Sequence, residues 1–285
     1  MQLQRLTFIV VFALATAASA QTEAIKAMTF NIRFASAEDG DNSWPHRSEL
    51  LFKVIRDFDP DVLGVQEAQR IQIDQLAAAL PGYNNVGVGR DPDGGGEYSA
   101  IYFRRDRFDL SDAGTQWLSD TPDKPGSHTW GNNLPRIFTS ARLFDRRTER
   151  RFTVINTHWD HESQPARLNS GKMLAKRIDK LVERKEPVLV MGDFNSGIEN
   201  PATSALTSDG ELLFDTLLRF KPDEKSLSTF NGFGKLPRSP KIDAILATEG
   251  WQVDDAAIVR TNDNGRYPSD HFPVTATVTL ENDKP

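Results

Sequence analysis

A chain of 285 residues with no cysteine can bury a full hydrophobic core but cannot be stapled by disulfides. Its 40 acids outnumber its 34 lysines and arginines, giving a formal charge of −6. That balance argues against a protein that coats nucleic acid, because neutralising phosphates takes a basic surface, but it leaves room for an enzyme with a local basic pocket.

Residues 1–20, MQLQRLTFIVVFALATAASA, set one arginine before an apolar stretch and close it with Ala18-Ser19-Ala20. This predicts a secretory signal peptide cleaved after Ala20, since the apolar run falls short of the roughly 20 residues that a membrane span needs. Residues 21–285 then form the mature chain, periplasmic or secreted and without an integral membrane segment. Having lost one arginine and no acid, it stands at −7.

Along that chain, apolar runs rich in β-branched residues predict strands at 27–32, 62–66, 99–103, 137–144, 152–157, 188–191, 242–247 and 274–280. Between them, 46–58 places Leu50, Leu51, Val54, Ile55 and Phe58 on one helical stripe. Residues 165–184 do the same with Leu168, Met173, Leu174, Ile178, Leu181 and Val182, behind Pro165. Shorter helices are predicted at 70–80 and 211–220. The Gly/Pro-rich segments 91–96, 121–126 and 230–240 read as loops inside one domain. Strands alternating with helices early, and strand pairs later, predict a layered α/β fold with mixed rather than strictly parallel sheets.

The stretch PVLVMGDFNS, 187–196, runs a buried strand into Gly192 and sets Asp193 and Asn195 two apart, where a strand aims side chains the same way. On its own the pair reads as an Asx turn. Its company changes that reading. Asn31, Gln66-Glu67, Thr157 to His161, Asp243 and Ser269-Asp270-His271 all stand at the mouths of other predicted strands. Charged and amide groups are costly in a core unless paired or metal-bound, and loops at strand ends are where α/β folds build sites. One shared cleft is therefore expected. Three of the five histidines fall in these clusters. Carboxylate and amide oxygens without cysteine suit Mg²⁺ or Mn²⁺ better than Zn²⁺, and a histidine beside a carboxylate suits proton transfer at neutral pH.

The segments TFNIR (29–33), VQE (65–67), NTHWDH (156–161), GDFN (192–195), KIDAI (241–245) and SDHFPV (269–274) together resemble the endonuclease/exonuclease/phosphatase superfamily, the DNase-I-like metal-dependent phosphoesterases. The resemblance implies a four-layer α/β sandwich, two mixed β-sheets packed face to face with helices outside, and a site at one end. It implies Glu67 as the principal metal ligand with Asn31 and Asp270 beside it, and Asp193 and Asn195 holding the nucleophilic water and a phosphate oxygen. His271, oriented by Asp243, would be the general base or a phosphate contact. His158 would stabilise the phosphoryl group or assist the leaving oxygen, with Glu97 near the position that pairs with it. Trp44 to Arg47 and residues 86–108 and 117–127 look like exported bacterial members and, more distantly, the nocturnin-like and deadenylase-type branch.

Within that frame Arg90, Arg136 and Arg167, with Asp160 and His161, are candidates for binding a second phosphate or an anionic head group. Trp44, Trp130 and Trp159 read as core or rim packing before they read as stacking surfaces. The expectation is an exported phosphoesterase acting on a phosphodiester or phosphomonoester of a small substrate: a nucleotide, a sugar phosphate or a phospholipid head group. Mg²⁺ is the implied cofactor, with Mn²⁺ as the alternative, and no protein partner is indicated. A scavenging nuclease is the rival within the same chemistry. A non-catalytic binding protein is the rival outside it, but that would predict loss of Glu67, His158, Asp193 or His271, and all four are present.

Overall fold

The computed structural model describes residues 23–236 and 239–281; the signal peptide expected at 1–20 lies outside them. In chain order the strands are Ile25–Asn31 (β1), Val62–Ala68 (β2), Tyr83–Val86 (β3), Tyr98–Arg104 (β4), Phe108–Trp117 (β5), Ile137–Asp145 (β6), Arg150–His158 (β7), Val188–Asp193 (β8), Phe214–Asp215 (β9), Asp243–Ala247 (β10), Trp251–Ile258 (β11) and Val274–Leu280 (β12). The helices are Trp44–Phe58 (α1), Arg70–Ala79 (α2), Gln164–Val182 (α3), Pro201–Thr207 (α4) and Thr216–Phe220 (α5). Two six-stranded sheets result, ordered β11-β12-β1-β2-β4-β3 and β5-β6-β7-β8-β10-β9.

Each sheet has a parallel pair near its centre, β1 with β2 and β7 with β8, while the other pairs are antiparallel. A parallel pair needs a long crossover, and α1 and α3 supply the two. Side-chain alternation then sorts the apolar residues into three cores. Ala27, Val62 and Ile101 of one sheet meet Val154, Leu189, Met191 and Ile245 of the other. Met28, Phe30 and Val65 face outward onto Leu51, Ile55 and Leu76 of the first two helices. Ile155, Val188 and Val190 face Leu174, Ile178 and Leu206 of α3 and α4. Three cores between four layers are the sandwich that the sequence predicts. Among the described residues no helix is long and apolar enough to cross a membrane.

Three predictions need correction. Strands β3, β5 and β11 carry no clear apolar run, because they lie at or near sheet edges and show much of their length to solvent. The helix expected at 211–220 begins only at Thr216. Phe214 and Asp215 instead pair with Ala247 and Leu246, and the Asp215 carboxylate then caps α5 by accepting from the Leu217 and Leu218 amides. The short helix α4, capped by Asn200, was not anticipated.

One polar network positions the site end of the sandwich. Asn156, fully buried on β7, reaches across to the opposite sheet. Its Nδ2 donates to the carbonyls of Val65 (2.9 Å) and Ala100 (2.8 Å), and its Oδ1 accepts from Gln66 Nε2 (2.6 Å). Just there the β2–β4 register slips. Val65 faces Ala100 and Ala68 faces Tyr98, so Gln66 and Glu67 share the space of one partner residue. This is a β-bulge, and it turns Glu67 into the left-handed region at φ 59°. Gly64 permits the close approach, since a Cβ there would stand 2.6 Å from Met191 Sδ and 2.9 Å from Asn156 Cγ.

Replacing Asn156 by leucine takes this partner from two carbonyls in an apolar interior, at about 1–3 kcal/mol each, and leaves Gln66 Nε2 with Thr29 Oγ1 alone. The expected result is a loss of at least about 2 kcal/mol of unfolding free energy. Denaturant melts should show it as a lower midpoint at unchanged slope.

Candidate active site

A cavity of about 570 Å³ opens where both sheets end. Its floor follows from strand register. His158 lies opposite Asp193 across the parallel β7–β8 pair, and Asp243 lies opposite Asp193 across the antiparallel β8–β10 pair. Three polar residues thus form one row across three neighbouring strands. Gly192 makes the row possible, because a Cβ on it would fall 2.1 Å from the Thr157 carbonyl oxygen.

Asp193 is the hub. Its Oδ1 accepts from the Asn195 amide (2.9 Å) and its Oδ2 accepts from Asn31 Nδ2 (2.9 Å). The same Oδ2 stands 3.5 Å from His158 Nε2 and 3.8 Å from His271 Nε2. Burial, reinforced by the neighbouring Asp243 carboxylate, pushes Asp193 up to about 7. His271 donates from Nδ1 to Asp243 Oδ2 (2.9 Å). Burial works against its positive charge, but the Asp243 and Asp193 carboxylates outweigh burial and raise its pKa well above the usual histidine value.

His158 goes the other way. Burial comes first, and the guanidinium groups of Arg136 and Arg90 add to it, so this imidazole is held well below its usual pKa and is neutral. Its tautomer follows from Asn195, whose Nδ2 donates both to the Trp159 carbonyl and to His158 Nε2, each at 3.0 Å. An Nε2 that accepts leaves the proton on Nδ1, which lies 3.8 Å from Glu97 Oε2. Glu97 is in turn gripped by both Nη atoms of Arg90, at 2.7 and 2.8 Å. Its own carboxyl is raised by burial against the pull of Arg90.

Facing this floor are Glu67 and Asp270. The Arg33 guanidinium lies 4.0 Å from Glu67 Oε2 and 3.8 Å from Asp270 Oδ2 while forking onto Asp39 at 3.0 and 3.1 Å. Two carboxylates already converging on one cation are a donor set that fits a hard divalent ion. Asn31 does not complete that set with an oxygen. Its Oδ1 accepts from the Arg33 amide (3.0 Å), and its Nδ2 bridges Glu67 Oε1 (3.0 Å) and Asp193 Oδ2. Asp193, Asp243 and His271 also cluster closely enough to hold a metal; His271 Nδ1 is engaged by Asp243 Oδ2 and Asp193 by Asn31 and the Asn195 amide, while Asp243 Oδ1 has no hydrogen-bond partner among the described residues. Arg33, Glu67 and Asn195 all adopt left-handed backbone conformations, each worth about 1–3 kcal/mol of strain, and all three line the cavity.

Behind the wall, the fully buried Arg47 donates to four backbone carbonyls: Asn42, Ile32, Pro268 and Arg33, at 2.7–3.0 Å. This ties the turn after Asn31 to the segment leading into Asp270. Burial lowers its pKa to about 10, which leaves it charged at neutral pH.

Of the outer candidates, Arg90, Glu97, Arg136 and His161 line the cavity. Asp160 and Arg167 do not. Asp160 is buried beneath Arg136, 3.3 Å from its Nε, and caps the chain by accepting from the Glu162 and Ser163 amides. Arg167 is spent on the Asp160 carbonyl and on Gln164, so neither presents a group to a ligand. Trp44 and Trp159 are core residues, and Trp130 packs against the third core with its indole N–H donating to Asp120. Arg33, Asp91 and Phe230 line the cavity without having been singled out from sequence. Arg33 stands inside TFNIR, two residues after Asn31, and that was its available signal.

The sequence matches the Endonuclease/Exonuclease/phosphatase family over residues 28–271. Similar solved structures include an endonuclease/exonuclease/phosphatase family protein from Bacteroides thetaiotaomicron. It is 30% identical with a TM-score of 0.84, over 92% of this chain and 100% of that one. A mannosyl-6-phosphatase from the same organism is 29% identical with a TM-score of 0.81, over 89% of this chain and 99% of that one. The human nocturnin catalytic domain, at 19% identity and a TM-score of 0.73 over 91% and 97% of the two chains, shares the fold. A match that spans most of the chain, on a sandwich of this topology, means that the protein belongs to the endonuclease/exonuclease/phosphatase family.

Proposed function

We propose that this chain is an exported, divalent-cation-dependent phosphoesterase that hydrolyses an ester of a small phosphorylated substrate. The observation that carries the reading is the convergence on Asp193 Oδ2. One buried carboxylate oxygen takes Asn31 and approaches two imidazoles of opposite charge state, while Glu67 and Asp270 face the same cavity. Among nucleotides, sugar phosphates and phospholipid head groups, our reading takes sugar phosphates first, with the similarity to a mannosyl-6-phosphatase as its support. Support for export is the signal-peptide pattern of residues 1–20.

Glu67 and Asp270 would hold Mg²⁺ or Mn²⁺, which supplies neutralisation of the charge that builds on phosphoryl oxygens. The chain's own groups do the rest. Asp193, poised near neutral pH, orients the attacking water and takes its proton as the oxygen bonds to phosphorus. His271 is held cationic by Asp243 and is therefore a donor rather than the base. Its Nε2–H goes to a phosphoryl oxygen and then to the departing oxygen as the ester bond breaks. Neutral His158 locks the Asn195 amide through Nε2, which leaves Asn195 Oδ1 to receive the water.

The first experiment uses protein lacking residues 1–20, stripped of metal and resupplied with Mg²⁺ or Mn²⁺. Turnover of p-nitrophenyl phosphate, bis-p-nitrophenyl phosphate and mannose 6-phosphate is measured, with single-stranded nucleic acid as a fourth substrate. His271→Ala should lower kcat by about 10²–10⁴-fold. Glu67→Ala should raise the metal concentration needed for half-maximal rate at least tenfold. Full turnover by either variant would sink the assignment.

Because Asp193 must be ionised to accept a proton, kcat/KM should climb as pH rises towards about 7 and level off above it. A flat profile between pH 5 and 8 would exclude Asp193 as the base. For export, N-terminal sequencing of the periplasmic or secreted protein should begin at Gln21; a chain retaining its leader inside the cell contradicts that part of the reading.

A further inference from the structure

Arg33 follows Asn31 in the turn after β1, at φ 52°. Its main chain is fully engaged. The amide donates to Asn31 Oδ1, and the carbonyl accepts from Arg47 Nη2 and Gln72 Nε2. The turn is therefore held without help from the Arg33 side chain. The guanidinium lies over the Phe34 ring, 4.5 Å from its centre, and its hydrogen bonds go to a single partner. Nε donates to Asp39 Oδ2 (3.0 Å) and Nη2 to Asp39 Oδ1 (3.1 Å). Glu67 Oε2 and Asp270 Oδ2, at 4.0 and 3.8 Å, stand within ion-pair range but beyond hydrogen-bond reach.

That spacing has two consequences. Both carboxylates feel the positive charge, which offsets their repulsion for each other. Yet neither facing oxygen gives a lone pair to the guanidinium. Glu67 Oε2 accepts from the Phe34 amide at 3.2 Å, and Asp270 Oδ2 accepts from no donor among the described residues. The two oxygens best placed to bind a cation thus stay open while a rival positive charge is tethered beside them. A divalent ion and a guanidinium sharing the same carboxylates repel each other, and the field is strong at such short range. Arg47 adds a second positive charge behind the wall, but four carbonyls hold it in place, so its contribution is constant. Arg33 is held by one carboxylate at the rim, and its charge is the adjustable one.

We infer that Arg33 is a positioning residue that sets the affinity of the site for its divalent cation, with Asp39 as the tether that keeps the guanidinium from closing onto Glu67 and Asp270. The inference rests on the cation-dependent phosphoesterase reading above and adds what tunes the metal. It gives the two partners opposite signs. Removing the charge of Arg33 tightens cation binding. Removing the charge of Asp39 frees the guanidinium to take the carboxylates for itself and weakens cation binding. The cation concentration at which the hydrolase turns on is then set by one ion pair at the rim.

The test titrates Mn²⁺ alone, without substrate, into protein lacking residues 1–20 and stripped of metal. Heat is followed by calorimetry and free Mn²⁺ by electron paramagnetic resonance. Arg33→Met keeps an apolar stem over Phe34 and loses the charge, so its Kd for Mn²⁺ should fall at least about tenfold. Arg33→Lys keeps the charge and should not tighten. Asp39→Asn should raise Kd, and should do so only while Arg33 is present; in the Arg33→Met background the same change should leave Kd nearly unmoved. In chelator Arg33→Met should melt below wild type, and saturating Mn²⁺ should raise its Tm by more. Unchanged or weaker Mn²⁺ binding by Arg33→Met overturns the inference, and a raised KM alongside makes Arg33 a contact for the substrate phosphate instead. Tightening by Arg33→Lys as large as that by Arg33→Met overturns it as well. Asp39→Asn judges it independently of how Arg33→Met folds: unchanged or tighter binding removes the tether. Equal Mn²⁺ binding by wild type and Glu67→Ala, or none by wild type, overturns the cation site assigned above and this inference with it.

Discussion

Asn156 spends its carboxamide on the opposite sheet, and in doing so it fixes where β2 stops following β4. The carbonyls of Val65 and Ala100, which it satisfies, are the last pair in register before the bulge. Without that cross-link the extra residue has no reason to sit at Gln66-Glu67 rather than elsewhere along the strand. With it, Glu67 leaves the plane of the sheet at one defined place and its carboxylate meets Asn31. The second sheet contributes by register alone: β7, β8 and β10 set His158, Asp193 and Asp243 side by side. A one-residue slip in any of these pairings would turn a whole row of side chains to the other face, so a site this dependent on register demands well-specified cores. The three apolar layers meet that demand.

What the cores support is an arrangement that would be unstable by itself. Asp193 and Asp243 are both buried and adjacent, and Glu67 and Asp270 converge from separate segments. Repulsion among these acids is relieved by His271 on one side and Arg33 on the other, with Arg47 behind. The two imidazoles touching Asp193 are driven apart in charge by their surroundings. His271 has carboxylates for neighbours and His158 has arginines. Two chemically identical side chains thereby acquire different roles without any difference in burial.

Much of this was legible in the sequence. Central strands buried on both faces give uninterrupted apolar runs, so β1, β2, β4, β7, β8, β10 and β12 could be located to within a residue or two, and the polar residues that end them pointed to a shared cleft. Edge strands gave no such signal, because β5 and β11 show most of their length to solvent and carry aspartates. The destination of a side chain was harder to read than its position. Asn31 turns its amide nitrogen, not its oxygen, toward Glu67, because the Arg33 amide claims the oxygen; that depends on a backbone turn no spacing reveals. Asp160 sits beside the cavity residue His161 in sequence and Arg167 follows one helical stretch later, yet the start of α3 consumes both. Asp91 was hidden in what reads as an ordinary glycine-rich loop.

Every hydrogen bond that Arg47 donates goes to a main-chain carbonyl, those of Ile32, Arg33, Asn42 and Pro268, with the Trp44 and Phe233 rings against its guanidinium. A clamp of that kind is blind to the side chains it holds in place. Side chains along the Arg33 turn that make no contact of their own can be exchanged while the path of the backbone, and with it the separation of Asn31 from Asp270, stays set by this guanidinium together with the Gln72 carboxamide, which donates to the Arg33 carbonyl and accepts from the Ala35 amide. Shape and chemistry of the cavity are thereby uncoupled on this side. The scaffold can be redirected toward new esters by editing the rim, with no need to rebuild the hinge of the wall.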